Sequence, residues 1–277
     1  MLLLVASILV LFLLNLFLGS VHIPMDSIWN ILWGLDGDES VIWQNIIWKS
    51  RIPQSLTALV AGAGLAVSGL QMQTVFRNPL AGPSVLGISS GASLGVAFVV
   101  LLSGSIGGIA LSRLGFMGEI ALTVAAIVGA LSVMALIVYV SQKVHGNVTL
   151  LIIGVMIGYV ANAVIGVLKF FSVEEDIRAY VIWGLGSFAR VSGNQVTVFI
   201  CIMAVLLPLS FLLIKTLNLL LLGDAYARNL GLNIKRARLQ VIACSGVLVA
   251  IVTAYCGPIT FLGLAVPHLC RGHTIFI

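Results

Sequence analysis

The chain is poor in charge. Asp, Glu, Lys and Arg make up 8% of its 277 residues, against about 25% in an ordinary soluble domain. So few ionic groups cannot cover a water-facing globular surface, and a 60% hydrophobic content excludes a disordered chain. The alternation of apolar and polar residues that builds a membrane β-barrel is missing; long unbroken apolar runs stand in its place. GxxxxGK[ST] is missing, so the chain carries no P-loop for ATP. There is no HExxH, and His22, His145, His268 and His273 are scattered. The charge-free windows hold no carboxylate, which a proton-driven carrier usually needs. Cys201, Cys244, Cys256 and Cys270 form no CxxC and sit in apolar context, so they read as small core residues. The net charge of +5 then concerns membrane orientation, not nucleic acid.

What remains is an all-α polytopic membrane protein. A span needs about 20 apolar residues. The charge-free windows give Met1–Gly19, Ile52–Phe76, about Ser84–Leu102, Ile120–Gln142, Gly146–Leu168 and Val191–Ile214. A seventh window follows from Leu239 to near Tyr255. Gly257-Pro258 separates it from a shorter eighth, Ile259 to about Arg271. Small residues at helical spacing, Ala58/Gly62/Ala66, Gly91/Gly95 and Gly154/Gly158, predict closely packed helix backbones. With the N-terminus inside, Arg77, Lys143, Lys215, Arg228, Lys235, Arg236, Arg238 and Arg271 face the cytoplasm. The remaining six cations, including Arg113, and nearly all the acids, including Asp36, Asp38 and Glu39, face out. That is a weak positive-inside bias.

Four segments between the spans have distinct chemistry. Ser20–Ser50 carries Trp29, Trp33, Trp43 and Trp48, residues that favour the lipid–water interface, and predicts a lip along the outer surface. Arg77, Asn78 and Pro79, with Gly82 and Pro83, stop the second span and re-aim the chain, leaving Ser84 to cap the third. The small polar run Gly87, Ser89, Ser90, Gly91 sits at a membrane edge, tolerated only against protein or water, and so borders a candidate pathway. Lys169–Arg190 holds an acidic run and Trp183-Gly184-Leu185-Gly186-Ser187, which predicts a short outer helix near a pore mouth. Lys215–Arg238 predicts two short capped cytoplasmic helices. Gly223-Asp224 opens the first, with Asp224 at its positive end. Gly231 caps it, and Asn233 starts a second that ends at Lys235, Arg236 and Arg238. Two capped helices are more than a connector needs and predict a docking surface for a soluble partner.

The blocks Arg51-Ile52-Pro53, Ser68-Gly69 to Gln73, Arg77-Asn78-Pro79-Leu80-Ala81, Leu86 to Ala92, Trp183 to Ser187, Gly223 to Gly231 and Gly257-Pro258 to His268 occur in one order along the chain. In this it resembles the FecCD-type permeases, membrane subunits of ABC importers for iron–siderophore complexes, haem and cobalamin. The resemblance implies a permease dimer in the bacterial inner membrane, two cytoplasmic ATPase subunits that hold ATP and Mg, and an extracytoplasmic solute-binding protein. It implies that the permease itself is no enzyme and binds no cofactor, metal or nucleic acid. It implies one permease domain over 1–277 with a coupling segment at 215–238, where Gly223, Asp224, Ala227, Arg228 and Gly231 meet the ATPase. Arg51 would receive the binding protein, although Gln54 stands where the family carries a second arginine. Arg77, Asn78, Pro79, Gly87, Ser89, Ser90, Gly91, Trp183, Gly186 and Ser187 would line or gate the pathway. The family has ten spans, so an eight-span chain is expected to be C-terminally truncated. Iron complexes are the expected cargo, with cobalamin the alternative; a secondary transporter and a non-functional remnant are the other classes.

Overall fold

The computed structural model describes residues 2–34, 41–107, 116–144 and 146–274. Asp36, Asp38, Glu39, Arg113 and His145, which entered the charge and histidine readings, lie outside the described residues. Those described form helices and no strand. The long elements are α1 (Leu2–Phe17), α4 (Ile52–Phe76), α5 (Ile88–Gly107), α6 (Phe116–Lys143), α7 (Asn147–Phe170), α9 (Asn194–Phe211), α12 (Ile234–Cys256) and α13 (Leu262–Thr274). Between them lie α2 (Met25–Trp33), α3 (Val41–Ile46), α8 (Glu174–Gly184), α10 (Ile214–Leu221) and α11 (Asp224–Asn229).

Each of the eight predicted windows contains a helix. Five stretches, Val41–Phe76, Met117–Lys143, Val148–Phe170, Asn194–Phe211 and Ile234–Cys256, are long and apolar enough to cross a bilayer, while Leu4–Phe17 and Ile88–Leu102 are shorter apolar helices. Helix α13 is 13 residues long and contains Pro267. Several boundaries move. The third helix begins at Ile88, not Ser84, because Pro83–Leu86 is a 3-10 turn closed by Gly87 at φ 74°. The eighth begins at Leu262 because the turn opened by Gly257 (φ 77°) and Pro258 runs on to Phe261. The sixth stops at Phe211, past its internal Pro208, and Ile214 starts α10 instead. The second capped helix at Asn233 is not short: nothing breaks the backbone at Arg238, and α12 continues into the seventh span.

The chain forms two compact units. One comprises 1–60 and 188–201, the other 61–187 and 202–277. In the first, Ile23, Ile28, Ile31 and Ile47 make a buried cluster, while Trp29, Trp33 and Trp48 are exposed. In the second, Gly91 and Gly95 of α5 face the backbone of α6 at Ala125 and Gly129 as expected, whereas a Cβ on Gly62 would have nothing within 4 Å among the described residues, so the Ala58/Gly62/Ala66 stripe makes no close approach there. Of the four cysteines only Cys256 is buried, and Cys244 is half-buried; Cys201 and Cys270 are exposed. The core reading fails for these last two, since the apolar context of a membrane span does not distinguish an inward from an outward face.

Candidate functional site

Within the larger unit, the C-terminal ends of α4 and α6, the N-terminal ends of α7 and α12, and α11 gather around one cavity of about 400 Å³. These are segments the sequence assigned together to the cytoplasmic side.

Asp224 is the joint of this end. It is the first residue of α11, after Gly223 at φ 107°. Its Oδ1 accepts from Arg77 Nη2 at 2.7 Å and its Oδ2 from Arg238 Nη2 at 2.5 Å. Arg77 Nη2 also donates to the Leu220 carbonyl at 3.2 Å. One carboxylate therefore ties α11 to the end of α4, the end of α10 and the second turn of α12. These groups are partly exposed, with side-chain exposures of 43% and 36% for Arg77 and Asp224, so each pair contributes only about 0–1 kcal/mol. The junction specifies an arrangement more than it stabilises one.

Two helix endings set its geometry. Helix α11 closes with the Gly231 N–H bonded to the Arg228 carbonyl and the Leu232 N–H to the Ala227 carbonyl, with Gly231 left-handed at φ 84°. This is a Schellman ending, with Gly231 as predicted where only glycine is free of strain. Helix α4 closes the same way. Arg77 N–H bonds to Thr74 O, and Asn78 N–H bonds to Gln73 O. Here Arg77 occupies the left-handed position at φ 49°, the one non-glycine residue with positive φ among those described. A side chain there costs about 1–2 kcal/mol; what it gains is a guanidinium pointed at Asp224. Asn78 accepts from Leu80 N–H and starts the turn through Pro79. Ala227 is buried and Arg228 exposed.

The residues expected along a pathway divide among three faces of α5. Ser89 lies 3.5 Å from the Thr253 hydroxyl of α12. Gly91 is packed on the backbone of α6, which withdraws it from any open channel. Gly87 and Ser90 line a cavity of about 200 Å³ with Gly154, Gly158, Tyr159 and Asn162 of α7; sequence reasoning missed the last two.

At the opposite end of α12, the Ser187 N–H donates to the Cys256 carbonyl at 2.7 Å. Gly257 seats against the Trp183 carbonyl and Gly186; a Cβ there would lie 2.7 and 2.9 Å from them. Trp183 is 2% exposed. Lys169 Nζ sits 4.8 Å from the Tyr180 ring, and burial pushes the Tyr180 phenol above its ordinary pKa while a hydrogen bond with Ser93 works the other way. The short helix α8 is thus anchored through its end to the α12–α13 turn.

Arg51 requires a correction. It is 5% exposed, and its guanidinium donates to the carbonyls of Leu16 at 2.6 Å, Phe17 at 3.3 Å and Val21 at 2.5 Å. A side chain committed to the end of α1 is not offered to a docking protein; it fixes the turn after the first helix. Sequence reasoning also missed the pairing of Arg238 with Asp224: the basic run was visible, but its acidic partner on the preceding helix was not.

The model of the FecCD transport family matches residues 7–274. The hemin transport system permease protein HmuU of Yersinia pestis is 36% identical over 267 residues, covering 95% of this chain and 77% of that protein. The vitamin B12 import system permease protein BtuC of Pectobacterium atrosepticum is 34% identical over 247 residues, 88% of this chain and 69% of the relative. A solved structure described as an inward-facing ABC transporter of metal-chelate type superposes with a TM-score of 0.78 at 29% identity, covering 96% of this chain and 79% of the other. Family match, relatives and fold agree: the chain belongs to the FecCD transport family and is a multi-pass membrane permease of an ABC importer.

Proposed function

We propose that this permease works in a bacterial inner membrane as one half of a dimeric pathway for a metal chelate, driven by two ATPase subunits that seat on α10 and α11 and supplied by an extracytoplasmic binding protein. The observation that carries this reading is the Asp224 junction. A surface helix that must pass on a partner's movement needs connections to the spanning helices, and α11 has them through Arg77 on α4 and Arg238 on α12. ATP supplies the driving energy on the partner subunit; this chain's residues transmit displacement.

Helix α12 supplies the route. It is a continuous helix of 23 residues, joined at one end to Asp224 and at the other to Ser187 and the glycine seat beside Trp183. Displacing α11 moves the lower end of α12, and the outer helix α8 follows through the Cys256–Gly257 contact. A partner shifts such an equilibrium only by touching its states unequally. The exposed Arg228 and the end of α11 are where those unequal contacts are made.

For cargo, the hemin-permease relative supports an iron complex, haem or a siderophore, and the BtuC relatives support cobalamin. Titrating the cognate binding protein with haem, ferric siderophores and cobalamin decides between them. For coupling, the test is Asp224→Asn with Arg228→Gln in the assembled transporter. We expect ATPase association and ATP-driven uptake to fall at least tenfold while the permease remains folded. Unchanged association would refute the seat on α11, and uptake persisting without the ATPase would refute ATP coupling in favour of a secondary carrier.

A further inference from the structure

The cavity beside α11 is more basic than the Asp224 junction needs. Among its lining side chains Arg228, Lys235 and Arg238 are cationic and Asp224 alone is anionic. That one carboxylate is already shared between Arg77 and Arg238. Arg228 and Lys235 form no ion pair or side-chain hydrogen bond among the described residues. The Nε–H of Arg238 is buried without an acceptor, an arrangement that native structures rarely tolerate. The first turn of α12 opens beside these residues, and its free amide ends add positive potential.

The other walls are apolar. Phe76, Val144, Leu150 and Ile242 line the same space. Its position along the membrane normal is inferred from helix length and apolar composition: the apolar stretch of α6 ends at Lys143, and that of α7 begins at Val148. Ser141, Val144 and Leu150 of the cavity wall bracket those limits. The cavity thus sits at headgroup depth, with cations on one side and hydrocarbon on the other.

We propose that this cavity binds the phosphate of an anionic phospholipid headgroup, with Arg228, Lys235 and the Arg238 guanidinium as donors and the apolar wall receiving the glycerol and first methylenes. Basic pockets between spanning helices at the membrane surface suit such headgroups, and guanidinium groups match phosphate geometry. Inorganic phosphate or a nucleotide offers the same charge but leaves the apolar wall wet. The site shares Arg228 with the proposed ATPase seat but rests on the chain spanning a membrane, and its test is made at Lys235, so the two readings fail separately.

The test is native mass spectrometry of the full chain in neutral detergent. It is titrated with phosphatidylglycerol or phosphatidylcholine of identical acyl chains. We expect phosphatidylglycerol to bind at least tenfold more tightly. Lys235→Glu should reduce that preference to within twofold, whereas Lys49→Glu, outside the cavity, should preserve it. Equal retention of the two lipids by the unaltered chain would overturn the proposal, as would an equal loss with Lys49→Glu. Displacement of phosphatidylglycerol by equimolar inorganic phosphate would overturn the lipid as occupant.

Discussion

Gly129→Ala isolates the packing that holds the larger unit together. Helices α5 and α6 make the broadest helix–helix interface among the described residues. At its centre, a Cβ on Gly129 would overlap the Gly91 carbonyl oxygen and lie 3.0 Å from both the Gly91 carbonyl carbon and the Gly95 Cα. All three are backbone atoms, so no rotamer change makes room. Carbon atoms rest about 3.5–4.0 Å apart, so the helices must separate by roughly 0.5–1 Å, which forfeits a quarter to a half of the dispersion energy along the seam. In lipid that loss matters, because packing and not water exclusion drives helix association. Overpacking of this kind costs about 1–3 kcal/mol, or roughly a 5- to 150-fold change in the folding equilibrium. Gly62→Ala makes the same chemical change with nothing within 4 Å of the new methyl. Relief of glycine's backbone entropy should then stabilise by about 0.5–1 kcal/mol. The assay is tryptophan fluorescence during titration of dodecyl sulfate into mixed micelles. Equal midpoints for Gly129→Ala and the unaltered chain, or equal losses for both variants, would refute the reasoning.

Other outcomes follow from the same geometry. Arg51→Lys should lower the thermal midpoint, because one ammonium cannot span the Leu16, Phe17 and Val21 carbonyls; losing a charged hydrogen bond costs about 1.5–3 kcal/mol, and an unchanged midpoint would contradict the buried role. Arg77→Gly removes both a strained left-handed residue and an exposed ion pair. These effects nearly cancel in stability, to within about 1 kcal/mol, so a loss of ATP-driven uptake with intact folding is expected; unaffected uptake would detach Arg77 from coupling. Tyr180 holds its proton more tightly in the folded chain than its ordinary value of 10.0, chiefly because burial disfavours the phenolate. The folded state then binds more protons, and stability should fall as pH rises above about 10 and level off beyond the folded pKa. Tyr180→Phe should flatten that part of the pH profile, and an identical slope in the variant would exclude the phenol as its source.

Much of the fold was legible because apolar run length and glycine spacing are direct consequences of lipid solvation. Each window found its helix, and Gly91/Gly95 met α6 as their spacing required. The misplaced boundaries have local causes. A charge-free window does not register a 3-10 turn ending on Gly87, and a charge does not end a helix, which is why Arg238 lies within α12 and does not close a separate short helix. The candidate site was legible only in part for a different reason. Its chain segments announced themselves through capping chemistry at Gly223, Gly231 and Asn233, which is local. Its connections are not local. Arg77 reaches Asp224 across 147 positions, and Arg51 turns inward to α1 across 35. A cation beside a proline turn reads the same in sequence whether it faces water, a partner or a carbonyl. Only its acceptors distinguish these cases. They make Arg51 a structural clamp and Arg77 part of the α11 junction, roles that their positions in a shared family motif leave undetermined.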